Sequence, residues 1–145
     1  MSRKNNFIVS LIILFFLLMS SCNIFAQPIV PYEIKASFVC EKNSASYKIG
    51  GLDCKFYNSS SKEVEKFVLV FSLFDKDGIP AINQIMFEID AKVKTNEFIS
   101  FILNLDELLK KVDVTISDVD FVYVSKIIYS DGSEWSDPFG IKYSL

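Results

Sequence analysis

The chain has 145 residues but no histidine, one arginine (Arg3), one tryptophan and five glycines. Each shortage removes a class of chemistry. Without His there is no imidazole to act as a base near neutral pH or to ligate a metal, which excludes nucleophile–His catalysis. With Arg confined to position 3, the rest of the chain lacks the planar fork that grips phosphates and carboxylates. Five scattered glycines form no phosphate-cradling loop. The three cysteines, Cys22, Cys40 and Cys54, are too few for a zinc site and too far apart for a C-x-x-C redox pair. No cofactor and no metal are expected.

Acids are missing from residues 1–26, which carry Arg3 and Lys4 ahead of an apolar run, Phe7–Met19 (FIVSLIILFFLLM). A basic start followed by a short apolar stretch predicts a signal helix. Thirteen helical residues rise about 20 Å, short of the ~30 Å hydrocarbon core, so a permanent span is disfavoured. Two cleavage sites fit. Leu18-Met19-Ser20-Ser21-Cys22 resembles a bacterial lipobox, departing from it at Met19 where the pattern has Leu, and it would make Cys22 a lipidated first residue. Cleavage after Ala26 would leave Gln27 first, although Ile24 is bulky for its place two residues before Ala26. Both predict export to the bacterial periplasm or outer surface. The membrane is then reached only through a lipid anchor or the uncleaved leader.

Residues 27–145 make one domain of ordinary size. Their thirteen lysines against eighteen acids give a formal charge of −5, which makes nucleic acid a poor partner. The apolar period is two for most of this stretch. Ala36, Phe38 and Cys40 alternate with polar neighbours, as do Leu52, Cys54 and Phe56, then Ile85, Phe87 and Ile89, and further strands are expected at Phe98–Leu103 and Asp120–Tyr129. Phe67–Phe74 (FVLVFSLF) is apolar on both faces and predicts a central strand. Asp106–Lys111 (DELLKK), acids first and lysines last, is the one helical signal. Ser130-Asp131-Gly132-Ser133 reads as a hairpin turn returning into Glu134–Asp137, and Ile141–Tyr143 could add a last short strand. Seven or eight short strands with one helical turn predict an all-β antiparallel sandwich, a barrel of this length needing more strands.

Phe71-Ser72-Leu73-Phe74-Asp75, followed by Gly78, resembles the strand-and-turn motif of the bacterial FxLYD domains, with Phe74 where the motif has Tyr. Upstream, Gly51–Asn58 resembles the strand that those domains place before it. The resemblance covers about residues 50–80 and implies an immunoglobulin-like sandwich, often carried on lipoproteins; it implies no catalytic residue.

Paired carboxylates remain the only acid–base candidates, at Asp75/Asp77 and Asp118/Asp120, and a solvated turn and the start of a strand explain them more simply. Asp75-Lys76-Asp77-Gly78 lacks the third ligand and the later Glu of a calcium loop. Asn58 in Asn58-Ser59-Ser60 reads as a turn former. Cys40 and Cys54 share faces with Phe38 and Phe56, leaving open a disulfide, worth roughly 3 kcal/mol for a loop of about 15 residues, or two core thiols.

Tyr57, Tyr129, Trp135 and Tyr143 lie beside turns or at the end, where they would form a recognition patch or cap the ends of the sandwich. A two-residue Asp131-Gly132 turn sets Ile128 opposite Trp135, with Lys126 and Asp137 pairing beside the ring. Lys126, Tyr129 and Trp135 are therefore the candidate binding surface. The expected function is that of an exported, non-enzymatic module binding a protein partner in the envelope. A carboxylate hydrolase and a purely structural envelope component are the alternatives.

Overall fold

The computed structural model describes residues 30–41, 49–112 and 115–142, without the side chains of Cys40, Glu41 and Ile49. The leader, with Cys22 and both cleavage sites, and Tyr143 lie outside the described residues. Seven strands and one helical turn follow in order: β1 (Tyr32–Glu41), β2 (Ile49–Asn58), β3 (Val64–Asp75), β4 (Pro80–Val93), β5 (Phe98–Asn104), α1 (Asp106–Leu109), β6 (Ile116–Tyr129) and β7 (Glu134–Ser136). They form two antiparallel sheets, β1–β2–β5 and β4–β3–β6–β7.

The doubly apolar run around Phe67–Phe74 becomes β3, held between β4 and β6 as its composition requires. Phe67, Leu69, Phe71 and Leu73 point inward and are fully buried. At roughly 1.5–3 kcal/mol for each fully buried large apolar side chain, they are a main support of the core. From the other sheet Leu52, Cys54 and Phe56 of β2 face them, and the rings of Phe56 and Phe67 stack at 4.2 Å. One continuous core thus joins the two layers. The opposite face of β3 is partly covered: Val70 and Ser72 are buried, with Phe139 beside them across a depression, while Lys66, Val68 and Phe74 are half-buried. Gly140 lies so close to the Tyr123 ring that a Cβ would sit 2.9 Å from it, and its φ of 67° is one that side chains disfavour.

The helical signal yields one turn. Its first carboxylate is occupied, since the Gly50 N–H donates to Asp106 Oδ1 at 2.9 Å, and Leu109 is buried. Lys110 and Lys111 lie in the turn that follows.

One expectation needs correction and two open alternatives are decided. The first concerns the last hairpin. Gly132 N–H donates to the Tyr129 carbonyl and Tyr129 N–H to the Ser133 carbonyl, with Gly132 at φ 79°, so the loop has three residues, Ser130–Gly132. The left-handed glycine adds one residue to the expected two-residue turn and moves the register by one. Trp135 stands opposite Ile127, and Ile128 opposite Glu134.

The second concerns the disulfide. Cys54 pairs in register with Ala36 and Cys40 with Gly50, which sets the cysteines four residues apart along β1. At about 3.3 Å per residue that is roughly 13 Å, far beyond the ~7 Å a bridge can span. Cys54 is a buried free thiol. Third, Ile141 and Lys142 belong to a turn and not to an eighth strand.

Candidate functional site

The sequence-chosen patch does not assemble as an exposed surface. Tyr129 is buried, and burial raises its phenol above the ordinary value, while the Lys62 ammonium lies 5.6 Å from its ring centroid. Trp135 is half-buried against the core, its ring edge-on to Tyr32 at 5.5 Å and 76°, with Lys142 Nζ over it at 5.3 Å. Lys126 is bonded to Glu134 at 2.6 Å and not to Asp137. Asp137 is buried and accepts the Lys142 N–H at 2.8 Å. The cause is the one-residue shift of the hairpin: a single step in register carries every side chain of β7 to the other face of the sheet.

The carboxylate candidates serve the backbone. Asp75 Oδ1 accepts the N–H groups of Asp77 and Ile79, both at 2.9 Å, which fixes the turn after β3. Asp118 and Asp120 each accept the N–H of the following residue, at 2.8 and 2.7 Å. Tyr57 is half-buried, and its hydroxyl donates to Asn96 Oδ1 at 3.3 Å. The Cys54 thiol is pushed up to about 12, by burial first and by the Asp53 carboxylate second, so it is neither a nucleophile nor a ligand near neutral pH.

A different place gathers exposed aromatic surface. Both strands beside β3 bulge at the same level. β4 inserts Asn83 and Gln84 between the pairs Phe71↔Ile85 and Leu73↔Ile82, and β6 inserts Phe121 and Val122 between Val70↔Tyr123 and Ser72↔Asp120. The buried Ser72 hydroxyl fixes the first bulge by donating to Asn83 Oδ1 at 2.9 Å and accepting the Gln84 N–H at 3.2 Å. Gln84 and Phe121 both take positive φ, 51° and 53°, which non-glycine residues adopt at a cost of order 1–3 kcal/mol.

The second bulge turns the Phe121 ring outward, where it is 66% exposed. Phe139, from the segment after β7, is 78% exposed. Together they border two depressions. One, of about 500 Å³, runs between Ile34–Ala36 of β1 and Val119–Tyr123 of β6. The other, of about 230 Å³, has Val70, Ser72 and Tyr123 among its walls and Asn83 and Gln84 at its rim. The Tyr123 hydroxyl donates to the Pro138 carbonyl at 3.2 Å, tying the Phe139 segment to the sheet. Burial, with the Asp137 carboxylate second, raises that phenol above its ordinary value, so it remains a donor through neutral pH.

Such a site has two aromatic anchors, a few amide and hydroxyl groups, and two strand-edge carboxylates. Its surface can hold apolar or aromatic side chains. Sequence reasoning missed it because the bulges shift the alternation inside β4 and β6, and a single sequence does not mark where. Strict alternation puts Phe121 on the face of Val119, Tyr123 and Ile127, opposite Asp118 and Asp120, so the sequence reads it as a core residue.

What the fold and this surface define is a two-layered, sandwich-like all-β protein with an aromatic groove on its outer side. Comparison with protein-family models, curated proteins and solved structures gives no match for the chain.

Proposed function

We propose that this is an exported, non-enzymatic binding module of immunoglobulin-like topology that holds an extended segment of a protein partner in the groove around Phe121 and Phe139. The observation that carries the reading is the pair of exposed phenylalanine rings, one on strained backbone, bordering depressions of about 500 and 230 Å³. Aromatic anchors beside a groove are what protein interfaces concentrate. β6 also offers a strand edge there. β7 pairs only with Lys126–Ile128, because Pro138 follows Asp137 and has no N–H to continue the ladder. Asp118 and Asp120 blunt that edge by occupying the N–H groups of Val119 and Phe121, so side-chain pockets select the ligand more than the backbone does.

The strand order supports the immunoglobulin-like reading. First, second and fifth strands share one sheet and third, sixth and seventh the other, with the fourth beside the third. The resemblance to FxLYD domains agrees with the way Phe71 and Leu73 enter the core and Asp75 closes the turn before Gly78. Export rests on the leader sequence, and lipidation on Cys22. A fatty-acid label lost in Cys22→Ala supports the anchor; a mature N-terminus at Gln27 overturns it.

Peptide selection tests the binding role. A displayed peptide library is selected on the wild-type protein and counter-selected against Phe121→Ser/Phe139→Ser. Enriched peptides with apolar residues at alternate positions, binding the variant at least about tenfold more weakly, are the expected result. Enrichment that the double variant retains in full overturns the site.

A further inference from the structure

β4 is the longest strand at a sheet edge, and its charges follow an order that the groove does not explain. It pairs with β3 on one side only, and no other described strand lies on its second side. Glu88, Asp90 and Lys92 point outward near its end and Lys94 follows just after it, all four exposed. Two acids precede two bases at alternate positions, so the sequence is complementary to itself read backwards. An antiparallel copy centred on Ala91 brings Asp90 opposite the partner's Lys92 and Glu88 opposite the partner's Lys94, each pair occurring twice. A parallel copy in register would bring like charges together. Lys92 and Lys94 form no ion pair among the described residues. Asp90 remains 81% exposed although Lys66 reaches it at 3.2 Å.

We propose that β4 is a homodimerisation edge, on which a second copy of this chain adds antiparallel across a two-fold axis at Ala91. The inner side of the strand favours such cover. Phe87, Ile89 and Ala91 point toward the core yet are only half-buried, and the same pairing sets Ile89 opposite the partner's Val93. The edge is also limited in length. β4 ends at Val93 and bulges where Ala91 and Lys92 stand opposite Glu65, so the shared ladder is confined to the few residues around the axis, and a two-fold pairing closes on itself instead of growing into a fibre. This interface is separate from the groove around Phe121 and does not depend on it.

Two charge variants test it. Glu88→Lys/Asp90→Lys makes the edge wholly basic, and Lys92→Glu/Lys94→Glu makes it wholly acidic. Sedimentation velocity over a concentration series of the purified protein should show a wild-type dimer. Each variant alone should self-associate at least about tenfold more weakly, and an equal mixture of the two should recover the dimer. A monomeric wild type, variants that dimerise as the wild type does, or a mixture that stays monomeric would each overturn the proposal. Should the first variant unfold through loss of the Lys66 bonds to Glu88 and Asp90, the second keeps them and carries the test alone: wild-type association then refutes the edge, and weakening that a Lys110→Glu/Lys111→Glu control of equal charge does not show supports it.

Discussion

Asn58 closes β2 with its side chain fully buried and its amide bonded at every position. Nδ2 donates to the Lys62 carbonyl at 2.8 Å and the Val93 carbonyl at 3.0 Å; Oδ1 accepts the Ser60 N–H at 3.0 Å and the Ser60 hydroxyl at 2.6 Å. Two donors and two lone pairs are the full capacity of an amide. Asn58→Ala removes all four bonds and leaves the buried Val93 carbonyl without this donor. At about 1 kcal/mol net for each bond the loss is about 4 kcal/mol, lowered by water at the exposed end and raised by the unsatisfied Val93 carbonyl, so the expected destabilisation is about 3–5 kcal/mol. Urea unfolding should show it as a lower midpoint at unchanged slope. Asn58→Asp separates hydrogen bonding from shape. Ionised, the new carboxylate turns an acceptor toward two carbonyls, so its pKa in the folded state lies above the unfolded value of about 3.9. A raised pKa means that the variant is most stable below the unfolded value and loses stability as pH rises through the folded one. Its deficit against the wild type should therefore shrink on acidification. An Asn58→Ala loss below about 1 kcal/mol, or an Asn58→Asp deficit that grows as pH falls, would refute the argument.

Phe71, fully buried and stacked on Phe87 at 6.0 Å, should cost about 3–5 kcal/mol as Phe71→Ala, and β3 amides should be among the slowest to exchange with solvent. Trp135→Ala, which takes a half-buried ring from Tyr32 and Lys142, should cost about 2–3 kcal/mol, with wild-type emission to the blue of free indole; a loss under about 1 kcal/mol would contradict the packing. Cys54 should resist a soluble thiol reagent until the protein unfolds. Because its pKa is raised from 9.0 to about 12, its contribution to stability is intact below about pH 9 and is lost as pH climbs toward 12.

Legibility followed the physics of each element. Phe67–Phe74 announced a central strand because only two-sided burial explains apolar residues at every position, and β3 lies where that argument put it. Period-two alternation likewise found the bodies of β1, β2, β4, β5 and β6. It did not find where β4 and β6 begin, since the bulges at Gln84 and Phe121 shift the period inside the strand. Asp131-Gly132 suits a two-residue turn and also a three-residue loop ending in a left-handed glycine; the choice depends on which face of β7 can reach the core, a tertiary fact. The same limit hid the separation of Cys40 and Cys54, because sharing a core face says nothing of position along it. The groove residues Phe121 and Phe139, 18 positions apart in the chain, meet only through the segment tied down at Tyr123.

Tyr32 stands two residues into the described part of the chain, and its hydroxyl both accepts the Val124 N–H at 2.9 Å and donates to the Val124 carbonyl at 3.3 Å. A phenol here completes a backbone ladder that belongs to the other sheet. Its ring meanwhile lies between Phe56 and Trp135. The mechanical consequence concerns a pull applied from the N-terminal side. Tension on β1 alone would peel it from β2 one bond at a time, the weakest way to load a hairpin. With Tyr32 clamped to β6 near the point of attachment, the load spreads at once into both layers, so the domain yields as a unit and not as a fraying edge.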